Sequence, residues 1–461
     1  MALATDPEQA ARGSGPIAAA EAAALPAPPS IPLPPLLQLL RFRQRQIEFV
    51  FRARRELGDV FALRTGERAA EVMTGEPADV RSLLAARPEL APSSAAESPL
   101  RPILGPDSVL TAVGERHLRQ RKLLLPHFHG EAIGRYAEAI AEATEREIDS
   151  WPLNRPFALA PRMQALTLDV IMAGIFGIGH EPARGTAEHR LRTTTRRLGQ
   201  FTTRPSGQVV EMLNSRRQEP VGLARPIIAL LYRPIEQLID ERRLAEDLGE
   251  RRDILSMLLQ ARTEEGEELT RAEISAELLT LVLAGHETTA NSLAWAWERL
   301  TRSPAAHERL VAAARDGAET DAVVEQTIFE TMRSRPVVPL IGRRVTVPWQ
   351  LGTYGIPAGT GVLISTLLLH HREELYPEPF EFRPERWVDR RPGTYEWLPF
   401  GGGIRRCLGA GLAMAEMRVV LATMARRLDI VAAEPAPEPA LHRNVTMLPR
   451  RGARIVVRSR R

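Results

Sequence analysis

The chain has 461 residues, 44% of them apolar and 26% charged, and 61 basic against 57 acidic side chains leave a formal charge of +4. This composition excludes collagen-like, low-complexity and highly charged disordered chains, and supplies apolar side chains for a large core. The single cysteine, Cys407, excludes an intrachain disulfide and fits a reducing, cytoplasmic setting, while the positive charge, nearly all arginine, carries no nucleic-acid-binding motif, so no nucleic acid partner is expected.

From the N-terminus, residues 1–35 are rich in Ala and Pro, and Pro26, Pro28, Pro29, Pro32, Pro34 and Pro35 stand too densely for a helix. They read as a disordered or extended arm, and Asp6 and Glu8 do not resemble the basic start of a signal peptide. Residues 36–461 read as one domain, because no Ser/Gly linker interrupts them. Residues 36–55 mix Leu, Ile and Phe with Arg, the pattern of a surface helix, with peripheral membrane contact as the alternative. Helical spacing of apolar residues predicts helices over 115–150, 160–176, 227–260, 271–303 and 321–334. Strand patterns occur at 60–64, 70–73, 344–347, 362–365 and 453–457. No run of 18 apolar residues predicts a transmembrane anchor, and no repeat or regular strand–helix alternation is present. The fold class is therefore mainly α with small β-sheets.

Cys407 sits in Phe400-Gly401-Gly402-Gly403-Ile404-Arg405-Arg406-Cys407-Leu408-Gly409, just before a helical pattern. Glycines permit a tight turn, the two arginines favour thiolate over thiol, and the following helix adds its N-terminal dipole. Such a sulfur suits a soft metal. A phosphate loop does not fit, since no Lys-Ser/Thr follows the glycines. The segment resembles the haem-binding signature of the cytochrome P450 family, Phe-x-x-Gly-x-Arg-x-Cys-x-Gly, with Phe400, Gly403, Arg405, Cys407 and Gly409 in place. The resemblance covers most of the chain from about residue 36. It implies that family's triangular helical prism around a buried haem b, with Cys407 as the axial thiolate.

Three further segments follow the family's order. Ala284-Gly285-His286-Glu287-Thr288-Thr289 resembles its oxygen-activation motif, in which Gly285 weakens a helix, a threonine hydroxyl diverts a backbone bond, and Glu287 and Thr288 deliver protons. A zinc His-Glu-x-x-His site fails, because Ala290 stands where the second histidine belongs. Glu330 and Arg333, with Arg386 downstream, resemble the family's buried Glu-Arg-Arg network. His117 and Arg121, four apart on one helical face, match a propionate-facing pair in which His replaces the usual Trp, and Arg343 or the adjacent Arg344 matches another propionate partner.

No flavin, nicotinamide or iron–sulfur motif accompanies these segments, so the resemblance implies electrons from a separate ferredoxin or flavodoxin with its reductase. Arg116, Arg119, Lys122 and Arg406 are candidates for steering an acidic donor. Substrate-facing segments, again by resemblance, are 88–113, 198–231, 279–284 and 337–341; the first, third and last are largely apolar, which implies a terpenoid, fatty-acid-like or polyketide-like small molecule. The implied function is that of a soluble, bacterial-type monooxygenase using O2 to hydroxylate or epoxidise it. A peroxide-using peroxygenase is the first alternative, opposed by the Glu287-Thr288 pair. A non-catalytic haem-thiolate ligand-binding protein is the second.

Overall fold

The computed structural model describes residues 13–64, 70–128, 136–177, 182–202, 205–215, 217–263, 266–317 and 320–461. They form two compact units. The first takes in the chain up to residue 94, then 325–407 and 437–451; the second takes in 95–324, 408–436 and 452–461.

In the first unit a four-stranded sheet runs in the order Val60–Leu63, Glu71–Thr74, Gly361–Ser365, Leu340–Arg344. The middle pair is parallel and the outer two are antiparallel. Val60, Val72, Val362 and Ile364 put β-branched side chains into its core, where they fit a pleated surface. Trp349–Leu351 and Tyr354–Ile356 form a hairpin, and Ala440–Arg443 with Thr446–Pro449 forms another. The segment expected as a single surface helix over 36–55 is two helices, Pro35–Gln44 and Gln46–Leu57, broken at Arg45 with φ −145°. Phe42, Phe49, Val50 and Phe51 anchor them in the core.

Residues 13–35 of the segment expected as a disordered or extended arm carry defined pairings, while residues 1–12 lie outside the described residues. Gly15–Pro16 pairs with Trp349 and Gln350, Ala19–Ala24 is helical, and Ser30 bridges to Ala62. The prolines do prevent a helix over 26–35, but they leave an extended backbone whose carbonyls can still pair. Ala62 N–H donates to Pro29 O at 2.8 Å, and Ile31 N–H donates to Ala62 O at 3.0 Å.

In the second unit the helices Leu159–Phe176 and Arg271–Leu300 pack together, and a small sheet is ordered Phe157–Ala158, Arg454–Arg460, Leu428–Ala432. Leu159–Phe176 is the one helix among the described residues that is long and apolar enough to cross a membrane, with mean hydropathy 1.2, although Arg162, Gln164 and Asp169 keep it from being an uninterrupted apolar run. Its Thr167 and Ile171 instead face the long helix, and 67% of its residues are buried in the protein. The helix expected over 227–260 is two, Ala224–Arg243 and Ile254–Gln260. Asp253 starts the second by accepting the Ser256 N–H at 3.0 Å, and it also pairs with buried Arg242. The expected 115–150 helix is Gly114–Leu124, a 3-10 turn Leu125–Phe128 and Tyr136–Asp149; residues 129–135 lie outside the described residues.

Candidate active site

The cysteine turn belongs to the first unit. Leu398 enters it with its N–H donated to His370 Nε2 at 2.9 Å, while His370 Nδ1 lies 3.2 Å from Arg333 O. Nε2 accepts, so the proton sits on Nδ1 and the ring is neutral. Burial, reinforced by the Arg333 charge, lowers His370 to about 3 and keeps it so. Gly401 N–H then bonds Leu398 O at 3.0 Å, Arg406 N–H bonds Gly403 O at 3.1 Å, and Cys407 N–H closes the turn on Phe400 O at 2.9 Å. Gly401 and Gly403 adopt φ +67° and +64°, the left-handed region that glycine tolerates. A Cβ on Gly403 would also lie 2.8 Å from the Leu84 carbonyl oxygen. Cys407 and Arg406 are exposed, and Arg405 is half-buried. Gly409 precedes the helix Ala410–Arg427 in the second unit.

Aromatic rings tie this turn to the Glu330 helix. Phe400 packs edge-on to Trp397 at 5.9 Å, Trp397 on Phe329 at 5.1 Å, and Phe329 on Trp387 at 5.7 Å. Trp397 Nε1 donates to Phe329 O, and Trp387 Nε1 to Glu330. Glu330 takes both Arg333 nitrogens at 2.8 Å, and Arg386 Nε lies 3.2 Å away. The Glu-Arg-Arg cluster anticipated from sequence is thus assembled beside the turn.

Arg343 ends this unit's contribution. It is 5% exposed, and the one hydrogen bond its side chain makes among the described residues is to the neighbouring Gly342 O at 3.0 Å. Among the described residues no carboxylate offsets its charge, and burial lowers it to about 10. Arg344 is half-buried and donates to Gly359 O at 2.6 Å. Alternation along the strand puts the two on opposite faces, so Arg343 is the inward one.

The second unit carries the other candidates. Helix Arg271–Leu300 starts at a capping box, with Thr270 Oγ1 accepting the Glu273 N–H and Glu273 accepting the Thr270 N–H. It continues unbroken through Gly285. Glycine serves another need: a Cβ would lie 2.7 Å from Ile171 Cδ1, so it lets the two long helices touch. The local backbone does carry extra bonds. Thr288 Oγ1 donates to Ala284 O at 2.8 Å, Thr167 Oγ1 to His286 O at 2.7 Å and Asn291 Nδ2 to Glu287 O at 2.9 Å. Ala284 is exposed, Glu287 and Thr288 are half-buried, and His286 is buried. His117 is buried and Arg121 half-buried, one turn apart on Gly114–Leu124.

Two of the expected docking cations are already engaged. Arg116 pairs with Asp107 and Arg119 with Glu273, so their charge serves the fold, whereas Lys122 and Arg406 are exposed. Two buried acids were passed over in the sequence, Glu277 and Glu416, each pushed up to about 8 by burial. The readable signal was an acid inside an apolar helical run.

The whole-chain comparisons agree with this local chemistry. The family model for cytochrome P450 matches residues 26–457. The chain is 38% identical over 417 residues to cytochrome P450 137 of Mycobacterium tuberculosis, covering 88% of this chain and 82% of that one. It is 36% identical over 441 residues to cytochrome P450 135B1 of Mycobacterium bovis, covering 94% and 92%. A solved structure described as retinoic acid bound cyanobacterial CYP120A1 superposes with TM-score 0.78, at 23% identity, over 94% of this chain and 100% of that one. With the mainly helical fold, the small sheets and the cysteine turn in place, the chain belongs to the cytochrome P450 family of haem-thiolate monooxygenases.

Proposed function

We propose that Cys407 is the axial ligand of a haem b and that this monooxygenase hydroxylates or epoxidises an apolar small molecule, with electrons from a separate ferredoxin or flavodoxin and its reductase. The observation that carries the reading is Arg343, a buried guanidinium with no acid partner among the described residues, in the same unit as Cys407. A buried cation is costly unless an anion joins it, and a haem propionate supplies one. The donor set fits the group as well, because thiolate is a soft ligand for iron and the turn's glycines leave room for close approach. The haem, when bound, supplies the iron at which dioxygen is activated, and thiolate ligation favours O–O cleavage.

The chain's own residues do the rest in this reading. Phe400 O holds the Cys407 backbone N–H and fixes where the sulfur points. Gly403 keeps the turn against Leu84, Arg405 adds positive charge near the thiolate, and Gly409 starts the following helix. His117, Arg121 and Arg343 hold propionates. Thr288 Oγ1 gives its proton to Ala284 O, which leaves its lone pairs to hold a water beside Gly285. Glu287, half-buried, exchanges protons with solvent. Leu100, Ile103, Leu110 and Leu281 offer partly buried apolar surface from the segments assigned to the substrate. The retinoic acid of the structural neighbour is a ligand of the same apolar, isoprenoid kind.

Arg343→Met should speed transfer of haem to apomyoglobin by roughly 10- to 100-fold, from a charge-assisted bond of about 1.5–3 kcal/mol. The haem-free protein should be no less stable, since a buried charge has been removed. An unchanged transfer rate would remove Arg343 from the site. Thr288→Ala should load haem normally and still oxidise NAD(P)H with surrogate electron donors. Product per electron pair should fall by about tenfold, less than the roughly 100- to 10,000-fold of a general acid because water can still carry protons, as hydrogen peroxide rises. Unchanged coupling would return Thr288 to a packing role. A screen of apolar compounds followed by the haem absorption shift identifies the substrate, and NAD(P)H use dependent on that compound separates monooxygenation from peroxide chemistry or simple binding.

A further inference from the structure

Residues 105–113 connect the helices Arg101–Leu104 and Gly114–Leu124, and they are tied to the helix Arg271–Leu300 at two points one turn apart. Val109 N–H donates to Glu277 Oε1 at 2.6 Å, and Ser108 Oγ lies 2.7 Å from Thr280 Oγ1. Thr280 already donates its hydroxyl proton to Ala276 O at 2.6 Å, so Ser108 is the donor in that pair. Glu277 Oε2 is buried and has no hydrogen-bond partner among the described residues. A carboxylate with one donor on one oxygen and none on the other is poorly solvated as an anion. As a neutral acid it keeps Oε1 as acceptor and places its proton on Oε2.

Among the described residues no cation is dedicated to Glu277. Glu273, one turn earlier on the same helix, takes Arg119 and lies 3.5 Å from Arg116 Nε. Arg116 also pairs with Asp107 in the loop, and Tyr232 and Glu236 face the site from Ala224–Arg243. Burial raises Glu277 to about 8, aided by Glu273 and opposed by the Val109 N–H and Arg116. Positions 284 and 288 fall about 20° to either side of position 277 on a 3.6-residue helix. The tied loop therefore covers the start of the stripe that leads to Ala284 and Thr288.

We infer that Glu277 is a positioning residue whose protonated form latches residues 105–113 over that stripe, and whose ionisation releases them and opens the stripe to ligands. The functional half rests on the proposed reading that this stripe faces the reacting molecule. The sign follows from linkage. Latching takes up a proton between the ordinary glutamate value of 4.5 and about 8, so the latch is strongest on the acid side. It weakens by up to about tenfold per pH unit as pH rises through that window, and levels off above it.

The test uses the full-length haem-loaded protein between pH 6 and 8. Hydrogen exchange at Val109, corrected for the intrinsic pH dependence of exchange, reads the latch; carbon monoxide rebinding after flash photolysis reads access with a neutral probe. Protection should fall by up to about tenfold per pH unit and rebinding should accelerate in parallel. Glu277→Gln keeps the acceptor but cannot ionise, so both readouts should become flat with pH, while Thr280→Val should loosen the loop at every pH. Flat protection in the native protein, or the same slope in Glu277→Gln, overturns the latch. Falling protection with unchanged rebinding leaves the latch standing and refutes instead the reading of this stripe as the ligand side.

Discussion

Glu330→Ala should yield little soluble, haem-loaded protein, although residue 330 touches no substrate in any reading of the site. Glu330 and Arg333 are both fully buried. The carboxylate accepts two Arg333 nitrogens at 2.8 Å, Arg386 Nε at 3.2 Å, Arg383 N–H at 2.9 Å and Trp387 Nε1 at 3.1 Å. Arg333 in turn donates to the carbonyls of His370, Pro379 and Glu381. Alanine would strand the Arg333 charge and leave five donor nitrogens without this acceptor. Breaking a buried pair costs about 3–5 kcal/mol, set against about 5–15 kcal/mol for a whole domain. Damage should also spread to the cysteine turn, since His370 accepts the Leu398 N–H and Trp397 bonds Phe329 O. Arg333→Ala should behave alike, while Glu330→Gln, which keeps the shape and loses only the charge, should be milder. Soluble yield, haem-to-protein ratio and thermal midpoint measure this. Normal haem content in the alanine variant would mean that the cluster is dispensable.

The parts of this molecule that were legible in sequence are those where chemistry and backbone geometry leave few choices. Gly401 and Gly403 stand where φ is positive, and Gly403 also where the Leu84 carbonyl leaves no room for a Cβ. Glu330, Arg333 and Arg386 need one another because each is a charge taken out of water. Long apolar runs fixed Leu159–Phe176 and Arg271–Leu300 to within a few residues. What stayed hidden depends on partners far away in the chain. The strand Trp349–Leu351 is three residues long and gains its neighbour from Gly15–Pro16, whose surroundings read as disorder. Gly285 looked like a weak point in a helix until Ile171, from another helix, was found against it. Glu277 stands out locally only as an acid in an apolar helical run; that it holds Val109, in a loop 168 residues away, no local pattern reports. Local propensity cannot report such contacts, because they arise from tertiary packing.

Cys407→His should abolish the red-shifted absorption that a thiolate-ligated haem shows after reduction under carbon monoxide. The shift requires strong donation from an anionic sulfur, and a neutral imidazole donates less charge to the iron. No second cysteine can substitute, since Cys407 is the only one in the 461-residue chain. The turn itself should survive: its bonds from Gly401 to Leu398 O, from Arg406 to Gly403 O and from Cys407 N–H to Phe400 O are all backbone bonds that histidine also makes. Arg343 lies outside the turn and should still hold the haem, so loss of the shift with haem retained separates a ligand change from a folding defect. Oxygen insertion should be lost with it, because O–O cleavage depends on the same electron donation. Cys407→Ser supplies the control for side-chain size, being close to isosteric with the thiol while a far weaker ligand for iron; it should lose the shift as well. A red-shifted spectrum that persisted in the histidine variant would show that this sulfur is not the ligand. The assignment of the cysteine turn as the centre of the active site would fall with it.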